Sequence, residues 1–332
     1  CAMRTIRWGM IGCGAVTEVK SGPGLYKANH STLQGVFSLH EERAVDYAKR
    51  HGVPKVYASV EEMMSDAEID AVYVATPPAF HKQYALLCSK HGKVAYVEKP
   101  MADRYEDCLE MIRAAELAET PLYVAFYRRA MDRFIKIKEL LDQKAIGEVR
   151  IVQVTQYQPP QPTDFDRDHL PWRLLPQIAG GGKFLDSGIH VIDMMDFLFG
   201  PMEEVRGIAG NQAGLYEVED VVTALWRSAS GVLGTGSWGY TCFEYRDEVV
   251  IEGSTGRIRF AFFSDQPVYV HTKEGIRELH YANPVHVQQP FIQTIVDELN
   301  GVGKCPGDAA SAARATRTVD QILAGYRQSK GF

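Results

Sequence analysis

The sequence predicts an α/β fold with two parts: a doubly wound parallel sheet at the N-terminus and a C-terminal α+β domain with a large, mostly antiparallel open sheet. Three observations lead to this prediction. The chain has 332 residues, enough for two domains with sizeable cores. In roughly the first 125 residues, apolar runs alternate with segments of helical period. In the remainder, short strands separated by glycine and polar turns predominate, which is typical of an antiparallel sheet.

The first part is predicted to contain five strands and three helices. The strands are short apolar or β-branched runs, at 6–11, 32–37, 71–75, 94–97 and 122–126. The helices lie at 41–51, 81–91 and 105–118, each between two strands. Because helices separate the strands, we expect a parallel sheet that is covered on both faces. This domain is expected to cover residues 3–127.

The second part is predicted to open with a helix at 133–143 and to continue with six strands. These strands lie at 149–157, 204–209, 221–227, 234–238, 248–252 and 257–262. A connection rich in proline and then glycine, 158–182, leads into a helix at about 183–199, and long irregular loops of this kind are often functional. Helices at 286–300 and 307–327 follow. We expect a substrate and oligomerisation domain over 128–303, and a C-terminal helix within 304–330 that packs back on the first domain.

The composition excludes several classes of partner. The net charge of −6 argues against nucleic acid or an anionic membrane surface as the main partner. No apolar run resembles a bilayer-spanning helix or a secretion signal. The six cysteines are scattered without a Cys-x-x-Cys pair, which favours reduced thiols and argues against a zinc or iron–sulfur site. We therefore expect a cytoplasmic protein without a metal.

A glycine turn follows the first strand directly. The segment Gly12-Cys13-Gly14-Ala15-Val16 has the order strand, glycine turn and helix start that defines a Rossmann dinucleotide-binding unit. The first glycine permits the tight turn, and the second lets backbone amides approach a pyrophosphate. We therefore predict that this segment binds the cofactor.

The end of the second strand indicates which dinucleotide is preferred. An acidic residue here would hydrogen-bond the ribose of NAD, but the strand ends at Ser38 and no acid occurs before Glu41. Ser38 leaves room for a 2′-phosphate, and His40 or Arg43 are positioned in the sequence to contact it. This favours NADP over NAD. Alternatively, Ser38 binds a ribose hydroxyl through water and both cofactors work.

Two later strands also end in polar residues. The strand at 71–75 ends at Thr76-Pro77-Pro78, followed by His81, and the strand at 94–97 ends at Glu98-Lys99-Pro100. Since parallel strands deliver their carboxyl ends to the ligand-binding edge, Thr76, Pro77 and Lys99 are candidates to line the cofactor. An ordinary strand-to-helix turn would explain the prolines equally well, and a solvated lysine at a loop start is the alternative for Lys99.

A second polar cluster follows the long connection. The run Gly180-Gly181-Gly182 precedes Asp186 and His190, which lie four residues apart and therefore share one face of an α-helix. Histidine can pass a proton near neutral pH, with the carboxylate orienting it. A helix cap and a structurally satisfied histidine are the alternative, and two such residues without a third ligand make a poor metal site.

These motifs occur in the order and spacing found in the Gfo/Idh/MocA oxidoreductase family, which the chain resembles over essentially its whole length. The resemblance implies that Lys99 is catalytic beside the nicotinamide, with Asp186 and His190 as partners, and that the cofactor site includes His81 and Glu98. It also suggests that Trp172 and Arg173 reach the cofactor or substrate. Further residues that it suggests for the substrate pocket are Tyr127, Arg128 and His286. Members of this family commonly form homodimers or homotetramers through the C-terminal sheet.

The reaction implied is hydride transfer between NAD(P) and a secondary alcohol or carbonyl of a sugar, cyclitol or similar polyhydroxy compound. Lys99 would hydrogen-bond the reacting oxygen, and either His190 or Lys99 would move the proton. Three alternatives remain: a dihydrodiol dehydrogenase or dicarbonyl reductase, a glycosidase that recycles bound NAD, and a non-enzymatic NAD(P)-sensing regulator.

Overall fold

The computed structural model describes residues 2–332, and these form two compact units. The first contains the described residues up to Met131 together with Pro284–Ala313, and the second contains Asp132–Asn283 with Arg314–Phe332. Among the described residues, none of the helices combines the length and apolar character required to cross a bilayer.

A six-stranded parallel sheet forms the centre of the first unit. Its strands are β1 (Ile6–Ile11), β2 (Ser31–Phe37), β3 (Lys55–Val56), β4 (Ala71–Val74), β5 (Val94–Val97) and β6 (Leu122–Val124). Their order is β3-β2-β1-β4-β5-β6. The chain therefore moves outward from β1 on one side and then returns to build the other side from β4. This is the doubly wound order, in which ligands bind at the carboxyl ends of the strands where the order reverses, between β1 and β4.

The helices of the first unit are mostly those that connect the strands. They are α1 (Gly22–Lys27), α2 (Glu41–His51), α3 (Val60–Ser65), α4 (His81–Lys90) and α5 (Tyr105–Ala118). A further helix of this unit, α9 (Gln289–Leu299), comes from a later part of the chain. The strands β4 and β5 are almost entirely buried, because helices cover both faces of a parallel sheet.

An eight-stranded sheet forms the second unit. Its strands are β7 (Val149–Tyr157), β8 (Met202–Gly210), β9 (Val221–Ser228), β10 (Leu233–Gly239), β11 (Arg246–Gly253), β12 (Gly256–Phe260), β13 (Val268–Thr272) and β14 (Gly275–Leu279). Their order is β14-β13-β12-β11-β7-β10-β9-β8, and every pair except β7 with β10 is antiparallel. The predicted fold class is confirmed in both parts.

The helices outside the parallel sheet complete the chain. They are α6 (Asp132–Asp142), α7 (Pro176–Ala179), α8 (Ile189–Phe199), α9 (Gln289–Leu299) and α10 (Ala309–Lys330). One face of the sheet in the second unit is buried by alternating residues such as Val222, Ala224 and Trp226 on β9. The opposite face carries the exposed apolar side chains Leu225 and Leu233.

The division of the chain differs from the predicted boundaries in its C-terminal part. The helix α9 belongs to the first unit, although the prediction placed it in the second. The packing of a helix within 304–330 on the first domain stays a prediction. Residues of α10 from Arg314 onward belong to the second unit. One reason is the bidentate hydrogen bonding of Arg314 to Asp196, at 2.8 and 3.0 Å, which joins α10 to α8.

Several short elements were not predicted. They are β3, β13, β14, α1, α3 and α7, which span between two and six residues each. Segments this short show too few periods of an apolar pattern to be recognised. The strand β3 forms one edge of the parallel sheet, and β13 and β14 extend the other sheet at one end.

Candidate active site

Only glycine fits the first position of the turn after β1. Gly12 has a φ of +98°, in the left-handed region that side chains rarely adopt. A Cβ on it would lie 3.0 Å from the carbonyl oxygen of Ala75. Its amide also donates to the carbonyl oxygen of Phe37 at 2.8 Å. The turn is therefore held between the carboxyl ends of β2 and β4, at the point where the strand order reverses.

Gly14 leaves space open instead of filling it. Its φ is −84°, and no atom lies within 4 Å of a Cβ placed on it. Gly14 and Ala15 are exposed, and Val16 is half-buried. Between the glycines, burial raises the pKa of the Cys13 thiol to about 12, so this side chain is neutral near pH 7. The turn thus presents accessible backbone that a pyrophosphate can approach, and in this respect it fits a dinucleotide.

The predicted helix start after the turn is reduced to a 3-10 turn, Ala15–Thr17, and α1 begins only at Gly22. Pro23 explains the interruption, because a proline lacks the N–H that a continuing helix would need and is tolerated only in a first turn. The hydroxyl of Tyr47 on α2 donates to the carbonyl oxygen of Thr17 at 2.7 Å and fixes the segment. A phosphate at this turn would therefore be bound by backbone amides and not by the dipole of a long helix.

An acidic side chain close to this turn is neutralised by its neighbours. Glu18 accepts two hydrogen bonds from Arg50, at 2.7 and 2.8 Å. These bonds are the main cause of a lowered pKa of the Glu18 carboxyl, about 2. The carboxylate therefore faces a guanidinium, which reduces its repulsion of a bound phosphate.

The residues predicted to select the cofactor lie together at the carboxyl end of β2. Ser38 directly follows the strand, and its hydroxyl accepts a hydrogen bond from the amide of His40 at 3.2 Å. His40 and Arg43 are exposed at the start of α2. The segment from Phe37 to His40 contains no carboxylate, as the sequence shows.

The carboxyl end of β4 contains an unsatisfied polar atom. Thr76 Oγ1 is buried and has no hydrogen-bond partner among residues 2–332, which is a costly arrangement unless a ligand supplies one. Pro77 follows it, half-buried. An orphaned hydroxyl beside the open glycine turn is a second feature that fits a bound dinucleotide.

His81 was predicted to bind the cofactor, and the structure gives it a different place. Its ring is fully buried, with Nδ1 2.9 Å from the carbonyl oxygen of Pro100 and Nε2 2.7 Å from that of Thr76. Burial lowers the pKa of the ring. The ring has no exposed surface in this arrangement, and a role of His81 in binding the cofactor stays a prediction. His81 ties the end of β4 to the residue after Lys99.

Lys99 is the second residue after the end of β5, at the ligand-binding edge of the sheet; it is half-exposed, and the Lys99–Pro100 peptide bond is cis. The preceding Glu98 is buried, and its Oε1 accepts hydrogen bonds from the hydroxyl of Tyr73 at 2.5 Å and from Nε2 of Gln288 at 2.6 Å. The Glu98 carboxylate thus anchors the strand end from within, a role that the sequence does not reveal.

The three residues suggested for the substrate pocket all lie in the first unit, and their role stays a prediction. Tyr127 is buried in a 3-10 turn after β6, and the guanidinium of Arg128 lies 4.9 Å from its ring centroid. His286 precedes α9 rather than lying on a helix. Its Nδ1 is 2.5 Å from the carbonyl oxygen of Val19, and its Nε2 is 3.3 Å from Lys27 Nζ. These contacts engage both ring nitrogens of His286 inside the first unit.

In the second unit, Asp186 lies in a π-helical turn, Phe184–Gly188, rather than in the regular α-helix that was predicted. The turn closes with a hydrogen bond from the amide of Ile189 to the carbonyl oxygen of Phe184. Gly188 is required, because a Cβ there would lie 2.5 Å from the Phe184 ring. Single π-helical turns are rare and frequently occur at functional sites. Asp186 and His190 therefore do not lie on one regular α-helix, and their spacing of four residues does not by itself place them on the same face.

His190 lies in the first turn of α8 and is buried. Its ring meets that of Phe263 edge to face, with centroids 6.4 Å apart. The carboxylate of Asp247 fixes this neighbour, since it accepts a hydrogen bond from the Phe263 amide at 2.8 Å. The histidine is thus held beside an aromatic wall.

Trp172 and Arg173 lie in a 3-10 turn of the long connection. The guanidinium of Arg173 lies 4.3 Å from the Trp172 ring centroid, and its Nε is 3.4 Å from Asp186 Oδ2. The structure thus brings Arg173 and Asp186 together, and the arginine offsets the charge of the carboxylate.

Two acidic residues that no sequence pattern marks as site residues hold the glycine run and the π-helical turn. Asp164 is buried and accepts a hydrogen bond from Lys183 Nζ at 2.5 Å. Glu219 is also buried and accepts one from the amide of Gly182 at 2.9 Å, and burial raises the pKa of its carboxyl. A Cβ on Gly182 would lie 2.8 Å from the carbonyl oxygen of Glu219, which explains this glycine.

A pocket opens beside the π-helical turn, wholly within the second unit. Its lining includes Tyr157, Gln158, Ser187, Tyr240, Arg246 and Phe263. The hydroxyl of Tyr240 is buried without a hydrogen-bond partner among residues 2–332. Burial raises the pKa of the Tyr240 hydroxyl, and the nearby Ser187 hydroxyl lowers it in part. The two hydroxyl groups nevertheless do not meet in hydrogen-bonding geometry. Aromatic rings, an amide, hydroxyls and an arginine thus surround the pocket.

The fold and the open glycine turn together define a dinucleotide-binding enzyme with a separate α+β unit. Two family descriptions match the chain: "Oxidoreductase family, NAD-binding Rossmann fold" over residues 6–126, and "GFO/IDH/MocA C-terminal domain" over residues 134–259. The chain belongs to the Gfo/Idh/MocA family and is an NAD(P)-dependent oxidoreductase.

Individual relatives agree with this assignment. Oxidoreductase P35 from Formosa agariphila is 37% identical over 317 residues, which cover 95% of this chain and 97% of that protein. Myo-inositol 2-dehydrogenase from Thermotoga maritima is 27% identical over 285 residues, or 83% of this chain and 81% of that one. Among solved structures, levoglucosan dehydrogenase in complex with NADH and L-sorbose matches with a TM-score of 0.85 over 98% of each chain. At 21% identity, this last likeness shows a shared fold.

Proposed function

We propose that the protein transfers hydride between NAD(P) and a secondary alcohol or carbonyl of a sugar, cyclitol or similar polyhydroxy compound. The observation that carries this proposal is the placement of Lys99. It follows β5, two strands from β1, so it shares with the glycine turn the carboxyl edge of one parallel sheet. When bound, the nicotinamide exchanges the hydride with the substrate carbon. The protein then has to orient the substrate oxygen and move one proton.

The role assigned to Lys99 is to bind the reacting oxygen of the substrate. Its ammonium group hydrogen-bonds this oxygen and stabilises negative charge that develops as the proton leaves. The support is its position after a buried strand whose end is fixed by Glu98 and, through Pro100, by His81. A lysine on a rigid anchor loses little freedom when it binds, which favours such a role.

The role assigned to Asp186 and His190 is the transfer of the proton. His190 acts as general acid and base, because an imidazole nitrogen can both accept and donate a proton, and Asp186 orients the ring or a substrate hydroxyl. Supporting features are the π-helical turn at Asp186 and the aromatic wall at His190. We further propose that Arg173, 3.4 Å from Asp186, helps to position this carboxylate.

The substrate class is inferred from the names of the relatives, myo-inositol 2-dehydrogenase and levoglucosan dehydrogenase. The cavity beside the π-helical turn has a volume of about 20 Å³, which is room for a single hydroxyl group or water and not for a whole sugar. Polar groups at its edge, such as those of Gln158 and Ser187, suit one hydroxyl of a polyhydroxy substrate.

Tyr240→Phe tests this assignment. Because the Tyr240 hydroxyl is buried without a partner, its removal is expected to leave the thermal unfolding temperature unchanged. If a substrate hydroxyl is its partner, KM for the polyol should rise by about 10-fold. Steady-state kinetics and thermal unfolding measure the two effects. An unchanged KM would remove Tyr240 from the substrate site.

The cofactor is proposed to be NADP in preference to NAD. The support is the absence of a carboxylate from the end of β2 in residues 37–40, together with the exposed His40 and Arg43. A 2′-phosphate would be stabilised by the arginine, whereas NAD would lack the usual acidic partner for its ribose.

We also propose a homodimer or homotetramer that forms through the sheet of the second unit. Ile208, Leu225 and Leu233 are exposed on adjacent strands β8, β9 and β10, and their register places them on one diagonal. Light scattering measures the assembly mass, and a monomer would contradict this proposal.

Fluorescence titration with NADH and NADPH, followed by a turnover screen with sugars and cyclitols, tests the function. Tighter binding of NADPH and turnover with at least one polyol are expected. Binding of neither dinucleotide, or glycoside cleavage without net cofactor reduction, would overturn the proposal.

A further inference from the structure

The anchor behind Lys99 comes from a distant part of the chain. Gln288 directly precedes α9, is almost fully buried, and is separated from Glu98 by 190 residues. Its Nε2 donates to Glu98 Oε1 at 2.6 Å, and its Oε1 accepts from the hydroxyl of Tyr96 at 2.6 Å. Tyr73 donates to the same carboxylate oxygen from β4.

The chemistry of this network requires an amide at position 288. A carboxylate only accepts hydrogen bonds, so the NH₂ group must face Glu98, and the amide oxygen is then left to accept from Tyr96. A glutamate here would keep the acceptor for Tyr96 but lose the donor to Glu98. A leucine would lose both and leave buried polar groups unsatisfied.

Gln288 also contacts the segment that follows the glycine turn. The backbone amide of Gln288 donates to the carbonyl oxygen of Lys20 at 3.0 Å, in the segment between the glycine turn and α1. One residue thus holds both the segment after the cofactor turn and, through its side chain, the strand end that carries Lys99.

We propose that Gln288 is a positioning residue for Lys99, acting through the carboxylate of Glu98. The inference rests on the proposed function, since it requires Lys99 to contact the reacting substrate. Glu98 follows β5 and immediately precedes Lys99, so fixing its carboxylate restricts the direction in which the lysine side chain leaves the sheet. A misplacement of a reacting group by about 1 Å can reduce turnover about 100-fold.

Substitutions at this position separate the possible roles. Gln288→Leu and Gln288→Glu are expected to lower kcat by about 10- to 100-fold, while KM and the dinucleotide Kd stay close to those of the wild type. Tyr96→Phe removes only the group that orients the amide and should cause a smaller fall. The matched control is Gln293→Leu on α9, since Gln293 bonds the backbone of Asn29 rather than the strand end, and it should leave kcat unchanged.

A double-mutant cycle with Lys99→Met gives a readout that a purely structural role would not produce. If Gln288 acts through Lys99, then Gln288→Leu should not lower the residual kcat of Lys99→Met any further. An equal further loss in both backgrounds, or a wild-type kcat in Gln288→Glu, would overturn the inference. If Gln288→Leu fails to fold, Gln288→Glu and Tyr96→Phe complete the same cycle. A wild-type kcat in Lys99→Met alone would instead overturn the proposed function.

Discussion

Lys99→Met is expected to lower kcat by about 100- to 10,000-fold while dinucleotide binding is retained. The methionine keeps much of the length of the side chain but removes the ammonium group that bonds the reacting oxygen. The glycine turn, Ser38 and Thr76 do not depend on that group, so the dinucleotide Kd should change little. Single-turnover kinetics and fluorescence titration measure the two quantities separately.

Lys93→Met is the matched control. Lys93 immediately precedes β5 at its other end, and its ammonium group donates to the carbonyl oxygens of Asp66 and Ile69, both at 2.7 Å. Removing it leaves buried carbonyl groups unsatisfied, so stability should fall while kcat per folded molecule is maintained. Wild-type turnover in Lys99→Met would exclude Lys99 from the chemistry.

Gly14→Val is expected to raise the dinucleotide Kd by about 100-fold, because its side chain would occupy space through which the pyrophosphate approaches the backbone. Stability should be unaffected, since Gly14 has an ordinary φ of −84° and no atom lies within 4 Å of its added Cβ. Isothermal titration and thermal unfolding measure the two effects.

Two further variants delimit this result. Gly12→Val should lose both affinity and stability, because its φ of +98° and the carbonyl of Ala75 oppose any side chain. Gly303→Val, in an exposed loop of the same unit, should lose neither. If Gly14→Val binds NADPH as tightly as the wild type, the turn is not the pyrophosphate site.

The sequence predicts the fold well because its signals are local. Alternation of apolar strands and helices is visible within short windows, and the glycine turn follows its strand directly. The elements that escape prediction, such as β3 and α1, are too short to show a period. The interruption after Thr17 is visible in retrospect at Pro23.

The site is only partly visible in the sequence, because its supports are contacts between distant residues. The bonds of Gln288 to Glu98 and of Glu219 to Gly182 depend on the tertiary fold, and no local pattern reveals them. The π-helical turn at Asp186 depends on the packing of Phe184 over Gly188, so an α-helical count gives the wrong local geometry. His81 shows the converse: its position suggests ligand contact, but its buried ring lies between two backbone carbonyls, with nitrogen-to-oxygen distances of 2.9 and 2.7 Å.

The central claim is direct hydride transfer from a secondary alcohol to the nicotinamide. A panel of carbon-deuterated myo-inositol and pyranose sugars, incubated with the enzyme and NADP or NAD, tests it by mass spectrometry of the cofactor. The account predicts that deuterium from at least one compound appears in the reduced nicotinamide, and that Lys99→Met abolishes most of this transfer. Unlabelled cofactor with every compound, or equal transfer by Lys99→Met, would contradict it.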